Sequence, residues 1–290
     1  MVQYDTRRWL SIVFRLHGSV LPKLVGRVLS VALIGVAALE LHRRINFKIA
    51  PVAHTMVGVA LGLLLVFRTN ASFDRWWEGR KLIGAMVNRA RDLSRQCAHM
   101  IDGDDGPDRA ALRPMIAGFF ALTRQHLRGE RDLGAVEAVI GPELRAALEP
   151  AQHRPAVMLS WISGRLCALA RAGRLTEQRL AVMDANLTAL HDNLGGCERI
   201  LRTPVPFAYA QHIKTFLMVF TFTAPFAMVD ALHGYTPVAA AVLAFALYGI
   251  DEIGVEIEDP FGHDANDLPL DAIGEGVEAV TRETIERRPP

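Results

Sequence analysis

Long uncharged stretches flank a middle region dense in charge. Residues 50–67 (APVAHTMVGVALGLLLVF) hold no Asp, Glu, Lys or Arg. As a helix rising about 1.5 Å per residue they reach about 27 Å, enough to cross a hydrocarbon core of about 30 Å with snorkelling ends. Residues 231–250 are likewise uncharged, and residues 215–229 just upstream are uncharged but interrupted by Pro225. Residues 24–39 are apolar apart from Arg27, whose long stem can reach headgroup level. The pattern predicts four membrane helices, two near the N-terminus and two within residues 213–253.

Between the spans, residues 68–212 read as helical. Trp76, Leu82, Met86, Ala90 and Leu93 recur at helical spacing over residues 75–100, with no Gly or Pro after Gly84. A segment rich in Gly, Asp and Pro at 102–108 ends that helix, and further helices are predicted at 109–127, 141–148, 158–172 and 176–194. Thr176 suits the N-cap of the last of these. No segment reads as a strand, and neither an internal repeat nor a low-complexity run is present. The tail after Asp271 is helical in pattern and frays at 287–290. The chain thus divides into an arm with two spans (1–67), a cytosolic helical region (68–212), two more spans (213–253) and an acidic C-terminal cytosolic segment (254–290).

Flanking charge orients the spans. Arg7, Arg8, Arg15 and Lys23 precede the first, and Arg68, Arg75, Arg80 and Lys81 follow the second, which places both flanks and both termini in the cytoplasm. Arg43, Arg44 and Lys48 between those spans pull the other way, while the short, nearly neutral connection at 230–236 suits the outer side. No cleavable leader is evident, so insertion rests on the spans themselves.

Composition adds little to this: 51% apolar and 22% charged residues would also suit a soluble domain, and it is their segregation that indicates two environments. A net charge of +1 gives no reason to expect a nucleic-acid partner. Cys97, Cys167 and Cys197 lie far apart in no metal-ligand spacing and read as free thiols on a reducing side. The ten histidines are scattered, with His212 and His233 near span ends as structural residues. Catalytic signatures such as G-x-S-x-G, a P-loop or H-E-x-x-H are absent, so the chain does not read as an enzyme.

Two constellations remain. Val59, Leu63 and Phe67 fall on one stripe of the second span, which continues without Pro into F-R-T-N-A-S-F-D-R-W-W-E-G-R. Gly58 and Gly62 on that span permit close helix approach. The stripe suits packing against a neighbouring helix or, in several copies around an axis, stacked apolar rings that constrict a pore. Residues 251–278 carry ten carboxylates and no Lys or Arg, which suits either a hard cation such as calcium or pairing with the Arg-rich cytosolic helices.

Four motifs carry a family resemblance: H-G-S-V-L at 17–21, F-R-T-N-A-S-F-D-R-W-W-E-G-R at 67–80, G-C-E-R-I at 196–200 followed by T-P-V-P-F-A-Y at 203–209, and E-D-P-F-G-H-D-A-N-D-L-P-L-D at 258–271. In this order they resemble the bestrophins, especially the bacterial members. The resemblance implies an all-α integral membrane protein with four transmembrane helices per subunit. It further implies a helical cytosolic part and a cyclic homopentamer around one axial pore in the bacterial inner membrane, with other copies of the chain, membrane lipid and small inorganic ions as its partners. By resemblance Val59, Leu63 and Phe67 form the pore neck, and Gln178 falls at a second, cytosolic aperture, where relatives often have an aliphatic residue. The ligand positions of the calcium-activated animal members correspond to Glu256, Asp259, Asp264 and Asp267, although the long acidic run of those proteins is absent here. No cofactor is required by the resemblance, calcium aside. The implied function is passive conduction of chloride and other small anions. Bacterial members can instead favour monovalent cations, and a secondary carrier or membrane scaffold is the reading from another class. A carrier would usually show inverted repeats and broken helices at the midplane.

Overall fold

The computed structural model describes Val2, residues 4–103 and residues 107–286. The Gly/Asp/Pro segment predicted at 102–108 lies partly outside the described residues, and the fraying tail at 287–290 lies wholly outside them. Every regular element among the described residues is helical: α1 (Trp9–Val13), α2 (Leu21–Ile45), α3 (Pro51–Met100), α4 (Pro107–Arg128), α5 (Gly134–Leu148), α6 (Arg154–Arg171), α7 (Glu177–Arg202), α8 (Phe207–Leu232), α9 (Thr236–Glu256) and α10 (Leu270–Glu286). The predicted span at 50–67 and the predicted helix at 75–100 are one uninterrupted α3 of 50 residues, as the lack of a breaker between them suggested. The chain forms two compact units, residues 1–76, 203–260 and 264–266 in one, and residues 77–202, 261–263 and 267–290 in the other.

The first unit packs α2, the N-terminal part of α3, α8 and α9 around Leu24, Val31, Leu61, Leu65, Ile213, Leu217, Phe220, Ala240 and Ala244. Three helical stretches are long and apolar enough to cross a membrane: Leu21–Ile45, Pro51–Met100 and Phe207–Glu256. The third is interrupted by a 3-10 turn at His233–Tyr235, where His233 adopts φ 45° and separates α8 from α9. Pro225 was expected to interrupt the third span, yet it sits inside a continuous α8. Apolar helices tolerate a proline where neighbouring helices pack against it, and Pro225 is buried in the first unit, while Thr221 turns its hydroxyl onto the Leu217 carbonyl one turn back. Thr221 Oγ1 also meets Tyr248 Oη at 2.8 Å, a buried polar clasp between α8 and α9. Close approach of α2 to α9 depends on Gly35, where an added Cβ would lie 2.8 Å from the Pro237 Cα.

The second unit packs the C-terminal part of α3 with α4, α5, α6, α7 and α10. Its core includes Ile83, Met86, Leu93, Phe119, Phe120, Met158, Ile162 and Leu190. Gly196 of α7 lies against Leu82, whose methyls would stand 2.9 Å from a Cβ there. The predicted helices at 109–127, 158–172 and 176–194 correspond to α4, α6 and α7, and Thr176 Oγ1 accepts the Arg179 N–H as an N-cap should. Helix α5 starts earlier than predicted, because the glycine expected to open it, Gly141 (φ 81°), instead kinks it midway. Gln96 Oε1 accepts from Asn186 Nδ2 at 2.9 Å, and Ser94 Oγ meets Thr281 Oγ1 at 3.1 Å, so α3 is tied to α7 and α10 by buried polar contacts.

Candidate functional site

Helical periodicity gives α3 two faces in the first unit. Val59, Leu63 and Phe67 are 63%, 57% and 63% exposed, whereas Leu61 and Leu65 are 0% and 1% exposed. At 3.6 residues per turn, positions 59, 63 and 67 lie roughly opposite 61, 65 and 68. One side of the helix is therefore fixed in the core of the unit, and the other presents a bare apolar stripe. Gly58 belongs to the packed side, where a Cβ would stand 3.0 Å from Phe220, while nothing lies within 4 Å of Gly62. His54, one turn before Gly58, stacks on Phe220 with ring centroids 4.2 Å apart and meets Thr223 Oγ1 at 3.0 Å.

Immediately after the stripe the packed face turns polar. Arg68 is buried, with Nη1 3.2 Å from Asp251 Oδ1 and Nη2 3.7 Å from Glu258 Oε2. Neither Arg68 Nη1 nor Asp251 Oδ1 makes a hydrogen bond among the described residues, so charge rather than a directed bond holds the pair. Lys214 Nζ lies 3.7 Å from Asp251 Oδ2. Arg27 Nη1 binds Glu252 at 2.8 Å, so its side chain is an ion-pair partner and not only a snorkelling group. Lys23 Nζ approaches Glu252 at 3.8 Å and Glu256 at 3.4 Å. The acidic end of α9 is thus paired with cations of α2, α3 and α8, whereas Asp271 pairs with Arg124 and Arg128 of α4 in the second unit.

Asn266 gives the fourth motif a structural role. Its Nδ2 donates to Gly18 O at 3.0 Å and to Glu256 Oε1 at 2.7 Å, and its own carbonyl accepts from Trp76 Nε1 at 3.3 Å. Residues from the first, second and fourth motifs therefore meet at one residue, through its side-chain amide and its backbone carbonyl. Of the carboxylates that correspond to calcium ligands, Glu256 and Asp267 are buried and Asp259 and Asp264 are exposed. Glu256, Asp259 and Asp264 do not bring ligand atoms within 4.8 Å of one another. Gln178 sits in the first turn of α7 and is exposed.

Sequence reasoning missed two features. Asn70 and Asp74 continue the exposed side of α3 beyond Phe67, a register legible in the helical period once the buried side is known. His126 on α4, His153 at the N-cap of α6 and Glu198 on α7 converge in the second unit, with both imidazole Nε2 atoms 2.6 Å from Glu198 Oε1. Burial alone would raise the Glu198 pKa, but the hydrogen bonds from His153 and His126 outweigh it and hold the carboxyl below its ordinary 4.5. These residues stand 72 and 45 positions apart, so no spacing motif announced them.

The sequence pattern of bacterial/fungal bestrophin proteins matches residues 1–283. The chain belongs to the bestrophins. This bestrophin is 40% identical over 275 residues to a voltage-dependent anion channel-forming protein of Nostoc sp., covering 92% of this chain and 88% of that one. A protein of the same description from Synechocystis sp. is 37% identical over 289 residues, 98% of this chain and 94% of its own length. Among solved structures, a bacterial bestrophin homologue from Klebsiella pneumoniae superposes with a TM-score of 0.85 at 27% identity, covering 91% of this bestrophin and 99% of that chain.

Proposed function

We propose that this bestrophin is a channel that conducts small anions, chloride among them, passively along the axis of a homopentamer in the bacterial inner membrane. Four spans per subunit come from α2, the first part of α3, α8 and α9, with both termini in the cytoplasm. The observation that carries the reading is the two-sided α3. Leu61 and Leu65 are spent inside the subunit, which leaves Val59, Leu63 and Phe67 bare for an axis shared with other copies. Cyclic symmetry turns one such stripe into rings, and three rings of Val, Leu and Phe form an apolar neck. Gln178, exposed on α7, would supply a second, polar constriction in the cytosolic part. The relatives described as anion channel-forming support the class of permeant ion.

A monovalent-cation channel is the second reading, and one observation favours it. Asp74 continues the exposed side of α3 beyond the neck, so a pentamer would carry a ring of carboxylates there. Reversal potentials of the purified protein in planar bilayers under asymmetric KCl distinguish the two, and anion selectivity is the expected result. A cation-selective reversal would transfer the reading to Asp74, and an absence of current with a native mass other than five subunits would remove the pore.

For the C-terminal carboxylates the internal pairing of Glu256 with Lys23 and Asn266 favours a charge-balanced structural segment over a calcium site. The expected melting curve is unmoved by millimolar calcium. A calcium-dependent rise that Asp264→Asn with Asp267→Asn abolishes would instead establish them as ligands.

A further inference from the structure

The His126–His153–Glu198 cluster lies in the second unit and the pore reading makes no use of it. Three helices bring it together: the last turn of α4, the N-cap of α6 and the C-terminal part of α7. It is the one group of three or more His, Cys, Asp or Glu among the described residues whose ligand atoms all lie within 4.8 Å of one another. The two imidazoles are tilted by 34° with centroids 4.5 Å apart, so they flank Glu198 rather than stack in parallel. Both line a cavity of about 370 Å³ together with Gln125, Glu130, Arg131 and Arg154. We propose that this cluster is a binding site for a divalent transition-metal ion of the zinc class, held by His126 Nε2, His153 Nε2 and a Glu198 oxygen, with the cavity supplying the remaining position.

The geometry is close to what such an ion needs. Bonds of about 2.0–2.1 Å in a tetrahedral site place ligand atoms about 3.3 Å apart. The two nitrogens now stand 2.6 Å from the shared oxygen, so entry of the ion asks each to withdraw by less than about 1 Å. Two imidazoles and a carboxylate with one open position form a set that zinc takes commonly, and imidazole nitrogen favours zinc, copper and nickel over calcium or magnesium. Charge alone would not hold an ion here. Arg131 and Arg154 line the same cavity, so a hard cation that binds through electrostatics and oxygen ligands would be repelled, and the imidazoles must supply the affinity.

The metal-free arrangement adds a local consequence. His153 Nδ1 accepts the Ala156 N–H at 3.2 Å, which places the ring proton on Nε2, where it is donated to Glu198. Coordination through Nε2 requires the other tautomer, with the proton on Nδ1. The Ala156 N–H then loses its acceptor, so the metal binds at the expense of the α6 N-cap and the two states differ at one backbone amide.

The test uses the full-length, tag-free protein in detergent, stripped with chelator and then titrated with ZnCl2 or CoCl2. Elemental analysis after buffer exchange should find one zinc per chain, and cobalt should give the intense visible absorption of a tetrahedral site, bleached by zinc. His126→Gln keeps an N–H for Glu198 and His153→Asn keeps an N-cap, so both variants are chosen to fold. Each should lower zinc affinity by more than about tenfold. Ala156 amide exchange should quicken on zinc loading, and calcium should displace none of the zinc. A wild-type protein that retains no more zinc than the His126→Gln/His153→Asn double variant overturns the proposal, as does cobalt absorption unchanged by that double variant.

Discussion

Arg68 shows how much a single side chain can be worth where water is excluded. It is 2% exposed, its principal partner Asp251 is as deeply buried, and the two are held by charge without a directed hydrogen bond. A buried pair contributes modestly against an apolar replacement, because desolvation offsets most of the attraction. Removal of one partner is different, since it strands the other. Arg68→Met should therefore destabilise the first unit by about 3–5 kcal/mol, read as a lowered melting temperature in detergent. Addition of Asp251→Asn should return a large part of the loss. Equal melting temperatures for Arg68→Met and wild type would mean that Lys214, 3.7 Å from Asp251, suffices to neutralise it. Asn266 makes a related point without a charge of its own: its side-chain amide joins Gly18 and Glu256 and its backbone carbonyl holds Trp76, which explains residues in three of the sequence motifs by a single set of hydrogen bonds.

At the scale of the helices, approach distance is set by what a residue lacks. Helices in an apolar medium gain nothing from excluding water between them, so close van der Waals packing through small residues carries more of their association. Gly35 on α2 meets the Pro237 backbone of α9, and a Cβ at 2.8 Å from a backbone atom has no flexible neighbour to displace. Gly26, on the same helix, has nothing within 4 Å. Gly35→Ala should cost at least about 1–3 kcal/mol by overpacking, whereas Gly26→Ala should be neutral or stabilise by up to about 1 kcal/mol through helix propensity. Melting temperatures of the two variants side by side check this, and equal shifts would show that α2 and α9 separate without penalty.

For the whole molecule the decisive property is the assembly that the bare face of α3 permits. Val59, Leu63 and Phe67 are each one turn, about 6 Å, from the next. Copies around an axis would stack apolar rings over about 12 Å of pore, and such rings offer nothing to replace an ion's hydration shell. If these rings form the proposed neck, truncation of all three to Ala should widen it and ease wetting, giving larger or longer-lived single-channel currents with little change in selectivity. Folding should survive, since these side chains lie outside the core formed by Leu61 and Leu65. Currents identical to wild type would assign the stripe to helix packing.

The sequence by itself determined the helical class, the position of the apolar spans, the unbroken passage of α3 out of its apolar stretch and the stripe at 59, 63 and 67. These depend on properties local to the chain: runs of uncharged residues, the 3.6-residue period and the absence of a breaker. The family was legible for the same reason, because its motifs are contiguous. Only the tertiary structure decided which face of α3 is buried, since the period gives the faces and packing chooses between them. It also carried α8 through Pro225, where local preference argued for a break and burial of that turn within the packed unit overrode it. Pairing was beyond sequence altogether. The acidic end of α9 found its cations on α2, α3 and α8, and His126, His153 and Glu198 met from three helices across separations of 72 and 45 residues. A chain encodes such meetings through the fold of everything between them, and no spacing of residue types along it can express that.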